Sequence, residues 1–234
     1  MLIIGHRGAP LEAKENTIQS FLTAKNLGVD AVELDVHVSN DKKLIVFHDD
    51  AVLINEKGQK MVQVSDLTLE ELRKVTGIQV PTLEEVLETV GDFNYFVEIK
   101  KSSAFYPSIE QRVVDAIREK GLVDNVNIIS FDFDSVKKAK EIDEKISTGI
   151  IFVGRINWFL EIAKKVKANW LAFSHRLVTK EEVKIAHQSG LKLNAWTVND
   201  LASAEKLERI GIDALTTDNP RKMIEILKSR KKNI

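Results

Sequence analysis

Three carboxylates, two histidines and two cations recur at the ends of short apolar runs. His6 and Arg7 close the run Leu2–His6. Within Ala31–Val38, Glu33, Asp35 and His37 alternate with Val32, Leu34 and Val36. In an extended strand the first three share one face and the aliphatic residues the other. Glu98 and Lys100 repeat the pattern in Tyr95–Lys100, and His48 ends Leu44–His48. Taken singly, these are inner-face ion pairs, Glu33 with Arg7 or Glu98 with Lys100. Together they read as a site, because buried carboxylates are costly unless paired or bound to a cation. Glu33, Asp35 and Glu98 offer hard oxygen ligands suited to Mg²⁺ or Ca²⁺, with zinc through His6 and His48 the weaker alternative. Arg7 and Lys100 beside such a cation suit a phosphate. Two histidines flanking a phosphoryl group can act as base and acid. The chemistry implied is cleavage of a phosphate ester.

Eight apolar runs must hold these residues: Leu2–His6, Ala31–Val38, Tyr95–Lys100, Val126–Phe131, Ser147–Phe152, Trp170–Ser174, Lys192–Val198 and Ala214–Asp218. Helical patterns separate them at Glu15–Leu27, Ser108–Lys120, Ser135–Asp143, Asn157–Lys167, Thr179–Ser189, Leu201–Arg209 and Pro220–Lys231. Gly28, Gly121, Gly190 and Gly211 follow helical stretches as caps. Capping boxes stand at Thr68-x-x-Glu71, Thr82-x-x-Glu85 and Thr179-x-x-Glu182. Alternating strands and helices give a parallel sheet. No Gly-rich phosphate loop supports a doubly wound sheet. Eight β/α repeats in 234 residues predict a single-domain (β/α)₈ barrel spanning 1–234. Its active site would lie at the C-terminal ends of the strands, where His6, Asp35 and Glu98 fall.

One stretch breaks the rhythm. The polar turn Ser39–Lys43 is too short for a parallel crossover, so it predicts a hairpin. Pairing Ser39 with Leu44 would set Asp35 opposite His48, within a residue of register. Residues 49–93 form a small excursion with helices near Leu69–Val75 and Leu83–Thr89. The basic run Lys228-Ser229-Arg230-Lys231-Lys232 reads as a favourable charge cluster at a helix C-terminus.

Composition excludes other classes. No cysteine means no disulfide framework, thiolate zinc site or thiol nucleophile. Thirty-four Lys and Arg against 35 Asp and Glu argue against a nucleic-acid partner. No run approaches a membrane span, and the first residues lack a signal peptide's charged and long apolar regions. The expected location is the cytoplasm.

The ordered motifs resemble the glycerophosphodiester phosphodiesterase family. They are His6-Arg7-Gly8, Glu15-Asn16-Thr17, Glu33-Leu34-Asp35-Val36, His48-Asp49 and Glu98-Ile99-Lys100. Ser130-Phe131-Asp132, Ala195-Trp196-Thr197-Val198-Asn199 and Thr216-Thr217-Asp218-Asn219-Pro220 extend the similarity to about residue 220. The resemblance implies a divalent-metal barrel enzyme that cleaves a small-molecule glycerophosphodiester to sn-glycerol 3-phosphate and an alcohol. It assigns Glu33, Asp35 and Glu98 to the metal, His6 and His48 to catalysis, and Arg7 and Lys100 to phosphate. It also makes Trp196, with Phe131, the wall of the glycerol side. In the family's mechanism one histidine assists attack of the glycerol 2-hydroxyl on phosphorus, and the other protonates the departing alcohol. Here His6 is assigned base and His48 acid.

The sequence departs from the family pattern at Lys14, where proline is usual, and at His37, a variable position. Its excursion is short and lacks the usual arginine soon after His48, so it bears on which alcohol is accepted. Competing readings are a lysophospholipase D-type activity, a non-catalytic phosphate-binding barrel, and an aldolase-like or enolising enzyme using Lys100. Other residues have plainer readings. His37 is expected at the rim and His175 as a structural histidine. His187 is expected to be partly buried, and Trp158 and Trp170 to be packing residues. Glu15 and Asn16 are expected to cap the first helix while orienting site residues.

Overall fold

The structure, a computed structural model, describes residues 1–55 and 59–231. In chain order come β1 (Leu2–Gly5), α1 (Ile18–Leu27), β2 (Ala31–Val38), β3 (Leu44–Val46), β4 (Ala51–Asn55) and β5 (Gln59–Gln63). Next are α2 (Leu69–Thr76), α3 (Leu83–Val90), β6 (Tyr95–Ile99), α4 (Ile109–Glu119), β7 (Val126–Ser130), α5 (Phe133–Ile142) and β8 (Ser147–Phe152). The last are α6 (Leu160–Lys165), β9 (Trp170–Ser174), α7 (Lys180–Gln188), β10 (Lys192–Trp196), α8 (Leu201–Ile210), β11 (Ala214–Thr217) and α9 (Pro220–Lys231). Lys232 of the expected basic cluster lies outside the described residues.

Among the described residues, eight parallel strands run β1-β2-β6-β7-β8-β9-β10-β11 and close by pairing β11 with β1. With helices between strands, this is the (β/α)₈ barrel. Strand alternation divides the core in two. Val32, Leu34 and Val36 point outward into the layer shared with the helices, where Phe21 of α1 is also fully buried. Ile4, Ala31, Phe96, Ile129, Ile151 and Trp170 fill the barrel interior. Trp170 packs edge-on against Phe96, with ring centroids 5.2 Å apart. The capping boxes at Thr68, Thr82 and Thr179 all form, and Gly28, Gly121, Gly190 and Gly211 all take positive φ.

The hairpin forms with its register displaced by one residue from the Ser39–Leu44 pairing. Val38 pairs with Leu44, His37 with Ile45 and Val36 with Val46. The chain closes more tightly because the Ser39 N–H bonds the Lys43 carbonyl. Phe47 rather than His48 then comes level with Asp35, its N–H donating to the Asp35 carbonyl at 3.0 Å. The excursion also contains the antiparallel pair β4–β5, absent from the sequence reading. It has its own apolar cluster, including Ile45, Val64, Leu67, Leu72 and Val80.

Two packing expectations fail. Trp158 is 79% exposed, on a short 3₁₀ turn rather than in the core. His187 is exposed too, its Nε2 2.8 Å from Asp213 Oδ2. No helix among the described residues is long and apolar enough to cross a membrane.

The loop after β1 depends on Gly8. Its φ is +92°, and an added Cβ would lie 2.7 Å from the Ser20 carbonyl carbon and 2.8 Å from its oxygen. Ser20 in turn latches the loop, its hydroxyl donating to the Arg7 carbonyl and accepting from the Ala9 N–H. Gly8→Ala is expected to lower the unfolding free energy by about 2–4 kcal/mol through strain and overpacking. Urea denaturation measures this; an unchanged midpoint would show that the loop yields freely.

Candidate active site

The C-terminal mouth of the barrel holds a cavity of about 250 Å³ lined by His6, Arg7, Glu33, His48, Glu98, Lys100, Phe131 and Trp196, among others. Asp35 lies behind this lining, 1% exposed. Parallel register sets Asp35 beside Glu98. One oxygen each from Glu33, Asp35 and Glu98 falls within 4.8 Å of the others. All three side chains are buried. Such a cluster of hard oxygens fits a divalent cation such as Mg²⁺ or Ca²⁺.

Neighbouring charges divide the three carboxylates electrostatically. Burial pushes Glu33 up to about 8, reinforced by Asp35, while His6 acts in the opposite sense. Burial alone would raise Asp35 as well, but Lys100 and Arg7 outweigh it and hold Asp35 below the usual carboxylate range. Lys100 Nζ lies 3.2 Å from Asp35 Oδ1 and 2.9 Å from Glu98 Oε1, and Arg7 Nε lies 3.2 Å from Asp35 Oδ2. Burial works against the Lys100 ammonium, yet Asp35 and Glu98 raise it to about 12, so it stays charged. Glu98 is raised by burial, an effect partly offset by Lys100.

Each histidine is held by a separate device. His6 Nδ1 lies 2.6 Å from Asp218 Oδ1, and Asp218 is itself fixed by Asn199, whose Nδ2 donates to Oδ2 at 2.7 Å. Burial lowers the His6 imidazole, but the Asp218 bond and the charge of Glu33 leave it above its ordinary value. His48 Nδ1 lies 2.7 Å from Asp49 Oδ1. Its backbone is held by His37, whose Nε2 lies 3.2 Å from the His48 carbonyl while Nδ1 lies 2.9 Å from the Tyr106 hydroxyl. Burial drops His37 to about 4, so it is neutral at neutral pH. A carbonyl only accepts, so Nε2–H is the donor and the Tyr106 hydroxyl donates to Nδ1. His37 is therefore no rim residue: it is fully buried beneath the His48 loop.

Glu15 and Asn16 do not cap α1; Thr17 does, accepting from the Ser20 N–H. Asn16, at φ 55°, instead clasps Asp35. Its Nδ2 donates to Asp35 Oδ2 at 2.8 Å, and its Oδ1 accepts from the Asp35 N–H at 3.4 Å. Glu15 Oε1 accepts from Arg7 Nη1 at 3.1 Å, and the Arg7 N–H donates to Glu33 Oε2 at 3.0 Å. Phe131 and Trp196 meet edge to face with centroids 5.8 Å apart. His175 is half-buried, with Nδ1 3.4 Å from the Trp196 carbonyl. Two residues absent from the sequence assignments, Asp218 and Tyr106, each bond a histidine. Asp218 stands in Thr216-Thr217-Asp218-Asn219-Pro220 at a strand end, a usable signal; Tyr106 lies in a loop and carries none.

A (β/α)₈ barrel with buried carboxylates, cations and histidines at its mouth has the anatomy of a hydrolase acting on phosphate esters. The sequence profile described as the glycerophosphoryl diester phosphodiesterase family matches residues 6–222, and the chain belongs to that family. It is an enzyme, a phosphodiester hydrolase. A glycerophosphodiester phosphodiesterase of Caldanaerobacter subterraneus subsp. tengcongensis is 32% identical, the match covering 97% of this chain and 98% of that protein. A glycerophosphodiester phosphodiesterase of Bacillus subtilis is 28% identical over 94% of this chain and 84% of its own. The solved glycerophosphodiester phosphodiesterase of Thermotoga maritima is 27% identical with a TM-score of 0.80, covering 97% of this chain and 98% of that one. An Oleispira antarctica phosphodiesterase, solved with its product sn-glycerol-3-phosphate, shares the fold at 24% identity and a TM-score of 0.86, covering 97% of each chain.

Because Glu33 holds its proton up to about pH 8, a divalent cation entering the cluster at pH 7 is expected to release close to one proton. Its affinity should then rise about tenfold per pH unit below pH 8 and level off above it. Calorimetric titration with Mg²⁺ or Ca²⁺ in buffers of different ionisation enthalpy measures the release; binding without it would contradict the protonated Glu33.

Proposed function

We propose that this chain, as one domain, hydrolyses glycerophosphodiesters to sn-glycerol 3-phosphate and an alcohol. The observation that carries the reading is the buried Glu33–Asp35–Glu98 cluster, set against a cavity lined by both His6 and His48. The product bound to the Oleispira antarctica neighbour supports the choice of glycerol 3-phosphate. Glu33, Asp35 and Glu98 hold a Mg²⁺ or Ca²⁺ ion. When bound, it supplies positive charge to the phosphate oxygens.

The remaining work falls to side chains. Arg7 and Lys100 hold the phosphate, and their bonds to Asp35 fix them before substrate arrives. Asp218 accepts from His6 Nδ1–H, leaving Nε2 as the basic atom. His6 takes the proton of the glycerol 2-hydroxyl as that oxygen attacks phosphorus. The P–O bond to the alcohol breaks, and His48 protonates the departing oxygen. A cyclic phosphate results, which water opens to glycerol 3-phosphate. Trp196 and Phe131 wall the glycerol.

The test offers glycerophosphodiesters to metal-stripped protein, restores Mg²⁺ or Ca²⁺, and detects glycerol 3-phosphate. His6→Ala, His48→Ala and Glu98→Gln are each expected to lower kcat by about 10²–10⁴-fold. Absence of release by folded, cation-loaded protein would reject the reading. Asp218→Asn is expected to lower kcat/KM about 10–100-fold. It also removes the largest of the influences that raise His6, so the acidic limb of the pH profile should move to lower pH. An unmoved limb would dissociate Asp218 from the base.

A further inference from the structure

A second groove opens beside the first, and His48 lines both. It has a volume of about 430 Å³ and runs between the β4–β5 hairpin and the end of α2. Its apolar wall is Phe47, Val52, Leu53, Met61, Val75 and Ile78. Leu53 is 44% exposed and Met61 61% exposed, on a hairpin whose inner residues are otherwise packed into the excursion's own core.

Four of the polar side chains along this groove have partners within the fold. Glu15 accepts from Arg7, Asn16 donates to Asp35, Asp49 bonds His48, and the Thr76 hydroxyl donates to the Leu72 carbonyl. Lys14 also lines it and is exposed. An alkyl chain would gain by leaving water for the six apolar side chains.

We propose that this groove receives the departing alcohol, and that the preferred substrate is a glycerophosphodiester whose alcohol carries an apolar chain of several carbons. The proposal rests on the preceding reading, in which His48 faces the departing alcohol. Its occupant follows from continuity: an alcohol leaving toward His48 has the groove directly beside it.

The test is a series of glycerophosphodiesters of ethanol, butanol and hexanol, with the glycerol diester alongside. These primary aliphatic alcohols differ little in acidity, so their intrinsic reactivity is matched. All are assayed below the concentration at which they aggregate. With the wild type and a restored divalent cation, kcat/KM is expected to rise about threefold per methylene, so the hexyl ester exceeds the ethyl ester by roughly two orders of magnitude. In the double variant Leu53→Ser, Met61→Ser the hexyl-to-ethyl ratio should fall at least several-fold, with thermal unfolding confirming the fold. Both side chains are exposed, so their loss leaves the core intact.

If every ester is cleaved with a hexyl-to-ethyl ratio near one, the groove does not take the alcohol and the proposal is overturned, while the hydrolase reading stands. If sedimentation also shows a dimer that the double variant splits, the groove belongs to a second copy of the chain. If no ester is cleaved, the glycerol diester included, the underlying reading fails and takes this one with it.

Discussion

The site depends on one electrostatic constraint: three carboxylates occupy the mouth of a closed barrel, where burial disfavours their charge. Asp35 is the member whose charge is secured. Arg7 and Lys100 reach it from two different strand ends, and Asn16 bonds both its side chain and its backbone N–H. Pairing of this kind is what makes a buried charge tolerable. With Asp35 ionised, Glu33 beside it is the group that keeps a proton. A cation bound there would share one pool of negative charge with the two basic side chains. Removing any member changes the others.

Around that cluster, each histidine has its own support. Asp218, from the end of β11, fixes His6, and Asn199 fixes Asp218. His37 and Tyr106 fix the backbone of His48 from below. Asp218 follows β11, His37 lies near the end of β2 and Tyr106 lies in the loop after β6, so the barrel brings these supports to one mouth. His37 shows how face alternation extends the site. It shares a face with Glu33 and Asp35, but the β2–β3 hairpin covers it, and burial makes it a neutral hydrogen-bonding strut rather than a titrating group.

The excursion between β3 and β6 is built differently from the barrel. It buries a small apolar cluster beneath a two-stranded hairpin and α2. Its hairpin and the end of α2 set apolar side chains along a groove that His48 also lines. A chemical centre can in this way sit beside a wall whose character is set independently, since the excursion has an apolar cluster of its own.

The sequence by itself determined the strand–helix alternation, the inward face of Glu33, Asp35 and Glu98, and the capping boxes. These follow from local periodicity and short-range hydrogen bonds, which are written in consecutive residues. Strand limits agreed within a residue or two for the same reason. The tertiary structure alone decided the hairpin register, because one turn hydrogen bond at Ser39 moves every pairing by a residue. It also decided that Trp158 faces outward and that His37 lies buried, since burial depends on which loop covers a side chain. Glu15 and Asn16 looked like capping residues by position; their partners, Arg7 and Asp35, are brought to them only when the loop folds over β2. The pairings Asp218–His6 and Tyr106–His37 span 212 and 69 residues. No spacing rule reaches that far; closure of β11 on β1 makes the first pair neighbours and the β2–β6 pairing the second.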